Sequence, residues 1–305
     1  MSEQPLLQQL GVWADRTGYA GIRESDEATG PRPELLLAAG DHAVAAPSSG
    51  LESPVSTLPW GHARAETDRI EGGESPLCSL AAQQGVEVSV TGPPASSSGA
   101  DGKGRMPSQW VDAGRELADA RADAAVPLII TGTVGTGATT TAAALIGVLC
   151  NVEPVKVVGR GGGPVPVSDE KWKYKTVAIR DLMFQARQHR RRPVDAAAVH
   201  DILDILGTPD TAFMAGLLAQ SATRRTPVIL DGVTGLAAGL LADALTPGAA
   251  RWWLLPDASS EPGATVAGRR LSLSPVFGRP LGAPAAAAGL MVLPLLDAAV
   301  SLGQL

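Results

Sequence analysis

Aromatic side chains make up only 4% of this 305-residue chain. Its core must therefore be built from Ala, Leu and Val rather than from large rings. Cysteine is scarcer, with Cys78 and Cys150 alone. Two thiols make no disulfide framework, and a reducing cytoplasm is the expected setting. Charged residues account for 18% and the net charge is −6, with no dominant basic patch. The densest basic run, HRRR over residues 189–192, reads as a solvated helix end. Nucleic acid and anionic membrane are thereby set aside as partners. The start, MSEQPLLQQLGVWADR, carries early charge and no long apolar run, so it reads as free of a signal peptide. The uncharged stretch over 124–152 is long enough to cross a bilayer. Its Gly and Thr content and its central turn residues read instead as strand, loop and buried helix.

What is present is a hydrophobic fraction of 45%, with 35 Gly and 24 Pro to punctuate it. That suits many short strands and helices joined by turns. Apolar runs predict strands at 34–39, 86–91, 126–131, 155–158, 228–230 and 252–255. Helical patterns fill 62–84 (interrupted at Gly72-Gly73), 110–124, 139–150, 171–189, 194–206, 211–220 and 236–245. On the 110–124 helix, Val111, Ala118 and Ala122 fall on the inward face, with Leu117 at its edge. A last helix over 285–302 contains Pro294 and should kink or break there. Residues 92–105 read as a flexible surface loop. Alternating strands and helices predict an α/β fold, a doubly wound and mostly parallel sheet of Rossmann-like type. The expected division is an α/β domain over 34–280, with a smaller helical part from 1–33 and 281–305.

Two glycine turns carry the chemistry. GTVGTGATT over 132–140 follows a strand and opens a helix, which presents backbone N–H groups and a helix dipole to an anion. Its frame is that of a P-loop, but Ala138 stands at the lysine position, so triphosphate hydrolysis is not expected. GRGGG over 159–163 is the second turn. Gly135, Gly137, Ala138, Thr139, Gly159, Gly161 and Gly163 are the candidate phosphate residues. Among ionisable groups, Asp41, His42, Asp231 and Glu261 are candidates for proton transfer, each with a bland alternative as a turn cap or a buried, hydrogen-bonded side chain. Neither a metal nor a cofactor is expected.

Taken in order, AAGDHAVAA (38–46), GTVGTGATTTAAAL (132–145), VVGRGGG (157–163), MAGLLAQSATRRTPVILDG (214–232), SSEPG (259–263) and LPLLDAA (293–299) resemble the nicotinate-nucleotide:dimethylbenzimidazole phosphoribosyltransferase family. That family's counterparts read AADHGVAA, GEMGIGNTTTAAAL, VGRGTG, MAG…ARRxPVVLDG and SAEPGH. The resemblance implies a role in cobalamin lower-ligand assembly, a cytoplasmic homodimer, and binding of nicotinate mononucleotide or a similar phosphorylated small molecule. It also aligns Lys175 with a lysine near the phosphate. The implied reaction moves phosphoribose from nicotinate mononucleotide to a benzimidazole nitrogen. That needs a phosphate cradle, a carboxylate base and a pocket for a flat ring.

The chain departs from the family at the chemical centre. The glutamate of LGEGTGA falls at Ala285, and no Asp or Glu occurs between Glu261 and Asp297. The glutamate of GEMG falls at Thr133, the asparagine of GNTT at Ala138, and the His after EPG at Ala264. The base-binding segment YPQEVTxQM falls near TLPWGHARA (57–65), with Arg64 at the glutamine. Two functions follow as expectations. One is a phosphoribosyltransferase-like protein with weak or lost transfer. The other is a non-catalytic paralogue that serves an intact transferase as regulatory or partner subunit.

Overall fold

A computed structural model describes residues 5–21, 31–93, 106–162, 165–189, 194–282 and 286–303. Two expected site positions, Gly163 and Ala285, lie outside these residues, as does most of the 92–105 loop.

Strand β1 (Glu34–Ala39) is an apolar run buried almost throughout. β2 (Glu87–Thr91), β3 (Ile129–Val134), β4 (Val228–Leu230), β5 (Trp253–Asp257) and β6 (Pro275–Phe277) join it in the order β2-β1-β3-β4-β5-β6. Every neighbouring pair is parallel. Side chains alternate between the faces of a sheet. Leu36, Ala38, Ile129, Val228, Leu230, Trp253 and Leu255 enter one core, and Leu35, Leu37, Ile130, Ile229 and Leu254 enter the other. A parallel sheet covered on both sides needs both sets to be apolar, hence runs such as ELLLAA.

The first face is covered by α4 (Trp110–Asp123), α5 (Ala138–Cys150), α7 (Asp169–Ala186), α8 (Ala196–Leu206), α9 (Pro209–Thr223), α10 (Gly232–Leu245) and α11 (Pro262–Leu271). The second is covered by α1 (Leu6–Thr17), α2 (His62–Glu71), α3 (Pro76–Gln83) and α12 (Ala287–Gly303). The expected doubly wound α/β fold is thus observed. From β1 the chain goes outward to β2 and returns to β3 on the other side of β1. That reversal makes a crevice beyond the C-terminal ends of β1 and β3, where ligands bind in such folds.

Several expectations change. β3 begins three residues later than predicted, because its register is set by β1, from Glu34↔Ile129 to Ala39↔Val134. Gly132 and Thr133 therefore belong to the strand and not to the turn. Residues 155–158 do not form a strand. Pro154 at the first helical position starts a single turn, α6 (Pro154–Val157), and β3 already has β4 as its neighbour. The second glycine turn thus follows a helical turn. On α4 the third buried position is Gly114 rather than Ala122. A Cβ at Gly114 would lie 2.0 Å from the Phe213 carbonyl oxygen, and one at Gly216 1.9 Å from that of Val111. The α4 and α9 backbones touch, and periodicity among larger side chains does not register such a contact. α11 and β6 were not predicted. α12 runs through Pro294 as one helix.

Candidate functional site

The crevice at the ends of β1 and β3 is built on Asp41. Its buried carboxylate accepts N–H groups from Gly61 at 2.8 Å, Ala63 at 3.2 Å and Thr136 at 2.7 Å. Those bonds tie the start of α2 and the first glycine turn to the end of β1. Three N–H donors leave Asp41 as a structural clasp. Gly135 is required at the same place, because a Cβ there would lie 1.7 Å from the Gly40 carbonyl oxygen. Gly137 is left-handed at φ +86° and packs on Ala45, and it supplies no side-chain oxygen to the first turn of α5.

His42 is buried beside Asp210, with Nε2 to Oδ2 at 3.1 Å. Burial works to raise the Asp210 carboxyl, but His42, Thr208 and Thr211 together bring it below the usual range. Asp210 was not among the expected site residues, and its only signal in the sequence was its place in the first turn of α9.

The second glycine turn has a partner that linear spacing did not reveal. Gly161 N–H donates to Glu261 Oε1 at 2.6 Å, across 100 residues. Lys175, on α7, donates to Thr139 Oγ1 at 2.9 Å and stands 3.5 Å from Glu261 Oε2. The Lys175 and Glu261 side chains are 0% and 3% exposed. Burial pulls the Lys175 ammonium below its ordinary value, and Glu261 pulls it back up. Gly159 has room for Glu261 only because it lacks a Cβ, which would stand 2.3 Å from the carboxyl carbon. Gly135, Gly137, Ala138 and Thr139 are thus joined through Lys175 and Glu261 to Gly159 and Gly161.

Asp231 lies one residue beyond β4 and is also buried. Burial first, and then repulsion from Asp257, pushes its carboxyl up to about 7. The N–H groups of Gly289 and Ala286 offset part of that shift, the former at 3.4 Å. Asp257 accepts the Leu281 N–H at 2.8 Å. The two acids therefore hold the chain on both sides of residues 283–285. The Thr133 hydroxyl donates to that of Thr234, three residues along the chain from Asp231, at 2.6 Å. Ala264 is buried in the first turn of α11. Arg64 points outward and pairs with Asp68 at 2.9 Å.

A cleft of about 420 Å³ is lined by Leu51, Ser53, Thr57, Leu58, Pro59 and Lys171. Thr57 Oγ1 donates to the Val165 carbonyl at 3.1 Å, and Lys171 Nζ to that of Ser56 at 3.2 Å. The cleft wall is thereby fastened to the loop that follows the second glycine turn. Among the described residues, no group of three or more His, Cys, Asp or Glu could hold a metal ion, and no helix is long and apolar enough to cross a membrane.

A phosphoribosyltransferase family model matches residues 105–304. The nicotinate-nucleotide–dimethylbenzimidazole phosphoribosyltransferase of Corynebacterium glutamicum (strain ATCC 13032) is 37% identical over 294 residues, which cover 89% of this chain and 77% of the relative. The enzyme of the same name from Mycobacterium ulcerans (strain Agy99) is 34% identical, covering 97% of this chain and 83% of the relative. The crystal structure of CobT from Thermus thermophilus superposes with a TM-score of 0.77 at 24% identity, over 99% of this chain and 92% of that one. This last likeness shows the fold.

Proposed function

The chain belongs to the nicotinate-nucleotide–dimethylbenzimidazole phosphoribosyltransferase family, and from that membership we propose that it binds the phosphate of nicotinate mononucleotide between its two glycine turns and has weak or lost phosphoribosyl transfer. Lys175 carries the binding half of this reading. Its buried ammonium joins the first turn of α5 to the loop of Gly159 and Gly161. A helix N-terminus, a second glycine turn and one cation make a site for a single phosphate. Gly163 is assigned to the second turn on sequence alone. The cleft at residues 57–59 has the volume of a small-ligand pocket and would take the flat ring. The two free thiols suit a cytoplasmic setting, and the homodimer that the family resemblance implies is part of this proposal.

The loss of transfer rests on the acids. Thr133 replaces a glutamate and spends its hydroxyl on Thr234. Asp41 is engaged by three N–H donors, and Glu261 is held by Gly161 and Lys175. Losing a positioned general base costs about 10²–10⁴-fold in rate. A second reading, residual transfer with Asp231 as the base, is favoured by its carboxyl being raised to about 7. That reading requires kcat to rise as the pH passes about 7 and to collapse in Asp231→Asn.

Calorimetry with nicotinate mononucleotide tests the cradle. Gly137→Asp places an anion at the start of α5 in a left-handed conformation. It should weaken binding by about tenfold or more, through repulsion between the new carboxylate and the phosphate. Equal binding by wild type and variant contradicts the site.

A further inference from the structure

Glu261 stands at the N-cap of α11, where a carboxylate would ordinarily serve its own helix. Its side chain makes no such bond. It turns across to the second glycine turn, takes the Gly161 N–H and lies against the Lys175 ammonium. Both partners are donors that a phosphate in the cradle would need. A carboxylate and a phosphate cannot share them without bringing two anions together in a buried site, where charge repulsion is poorly screened.

We propose that the Glu261 carboxylate and a ligand phosphate compete for one pair of donors, the Gly161 N–H and the Lys175 ammonium, so that Glu261 sets how tightly the cradle holds its phosphate. The inference rests on the cradle reading above and goes beyond it. It assigns the acid of the EPG segment a part in phosphate affinity rather than in proton transfer or helix capping. It also makes Lys175 shared: bonded to Thr139 throughout, and exchanging Glu261 for phosphate.

Glu261→Gln keeps the shape of the side chain and an oxygen for the Gly161 N–H while removing the charge. Calorimetry of this variant with nicotinate mononucleotide and, separately, with nicotinate riboside, which lacks the phosphate, tests the competition. The expected result is mononucleotide binding at least about tenfold tighter than wild type, with riboside binding unchanged. Unchanged or weaker mononucleotide binding overturns the proposal, and so does an equal gain for the riboside. The Gly137→Asp comparison reports on the cradle itself. If that variant weakens binding and Glu261→Gln does not tighten it, the cradle stands and the competition falls. A measurement on the wild-type chain covers the case in which Glu261→Gln does not fold. The Gly161 amide resonance should shift on saturation with mononucleotide and stay in place with riboside. A Gly161 amide indifferent to the mononucleotide overturns the proposal.

Discussion

Glu261 and Asp231 are both buried acids just beyond the C-terminal ends of neighbouring strands, and their surroundings give them opposite characters. Glu261 has a buried ammonium and a backbone N–H at hand, so its charge is compensated. Asp231 faces a second acid, Asp257, and two backbone N–H groups offset only part of the cost of burial. A buried charge needs a partner, or it shifts toward neutrality. Similar residue chemistry therefore yields an ion-paired carboxylate at one position and a carboxyl pushed up to about 7 at the other.

The sharpest way to break this contrast is to remove the partner of Glu261. Lys175→Met leaves a buried carboxylate without its cation, and breaking such a pair costs about 3–5 kcal/mol. Denaturant unfolding at neutral pH should show a loss of that order. A loss below about 1 kcal/mol would mean that the pair does not compensate Glu261.

A smaller effect is expected at Asp231. Its folded value, about 7, lies above its ordinary value of 3.8. The stability this carboxyl contributes is therefore fully present below about 4 and is lost as pH rises through about 7. The shift bounds that loss at roughly 4 kcal/mol. Asp231→Asn does not titrate, so its stability relative to wild type should improve from pH 4 to pH 8. Parallel pH–stability curves for the two proteins would contradict the raised value.

Smaller again is Gly161→Ala. Gly161 adopts φ +93°, and a side chain there is strained, at about 1–2 kcal/mol. Among the described residues, only Val167 lies within reach of the added methyl, at 3.8 Å. The variant should fold, lose that much stability by denaturant titration, and bind nicotinate mononucleotide less well because the N–H is displaced. Unaltered stability and binding would detach the Gly161 turn from the site.

The contrast between the two acids also marks what could be read from the linear chain. β1 was legible at both ends, because ELLLAA is an apolar run bounded by Pro33 and Gly40. β3 was legible in kind but displaced, since its ends are fixed by pairing with β1 and not by its own residues. Residues 155–158 look like a strand, and Pro154 with its missing sheet neighbour makes them a helical turn. β6 has three residues and too little pattern to announce itself. Both glycine turns could be read as anion-binding candidates from their composition. That Glu261 and Lys175 meet at the second turn could not, because the partners lie 86 and 100 residues apart and no periodicity links them. The clasp made by Asp41 is invisible for the same reason, since its three donors come from two other segments.

On the proposed reading, a phosphate cradle in a chain that lacks the family's glutamate at Ala285 and Thr133 should bind the mononucleotide and turn it over poorly. The most direct test is nicotinate release from nicotinate mononucleotide in the presence of 5,6-dimethylbenzimidazole. The purified chain should be assayed side by side with the Corynebacterium glutamicum enzyme. The predicted rate is lower by about 10²–10⁴-fold, the usual contribution of a positioned base. A rate equal to that of the relative would contradict it.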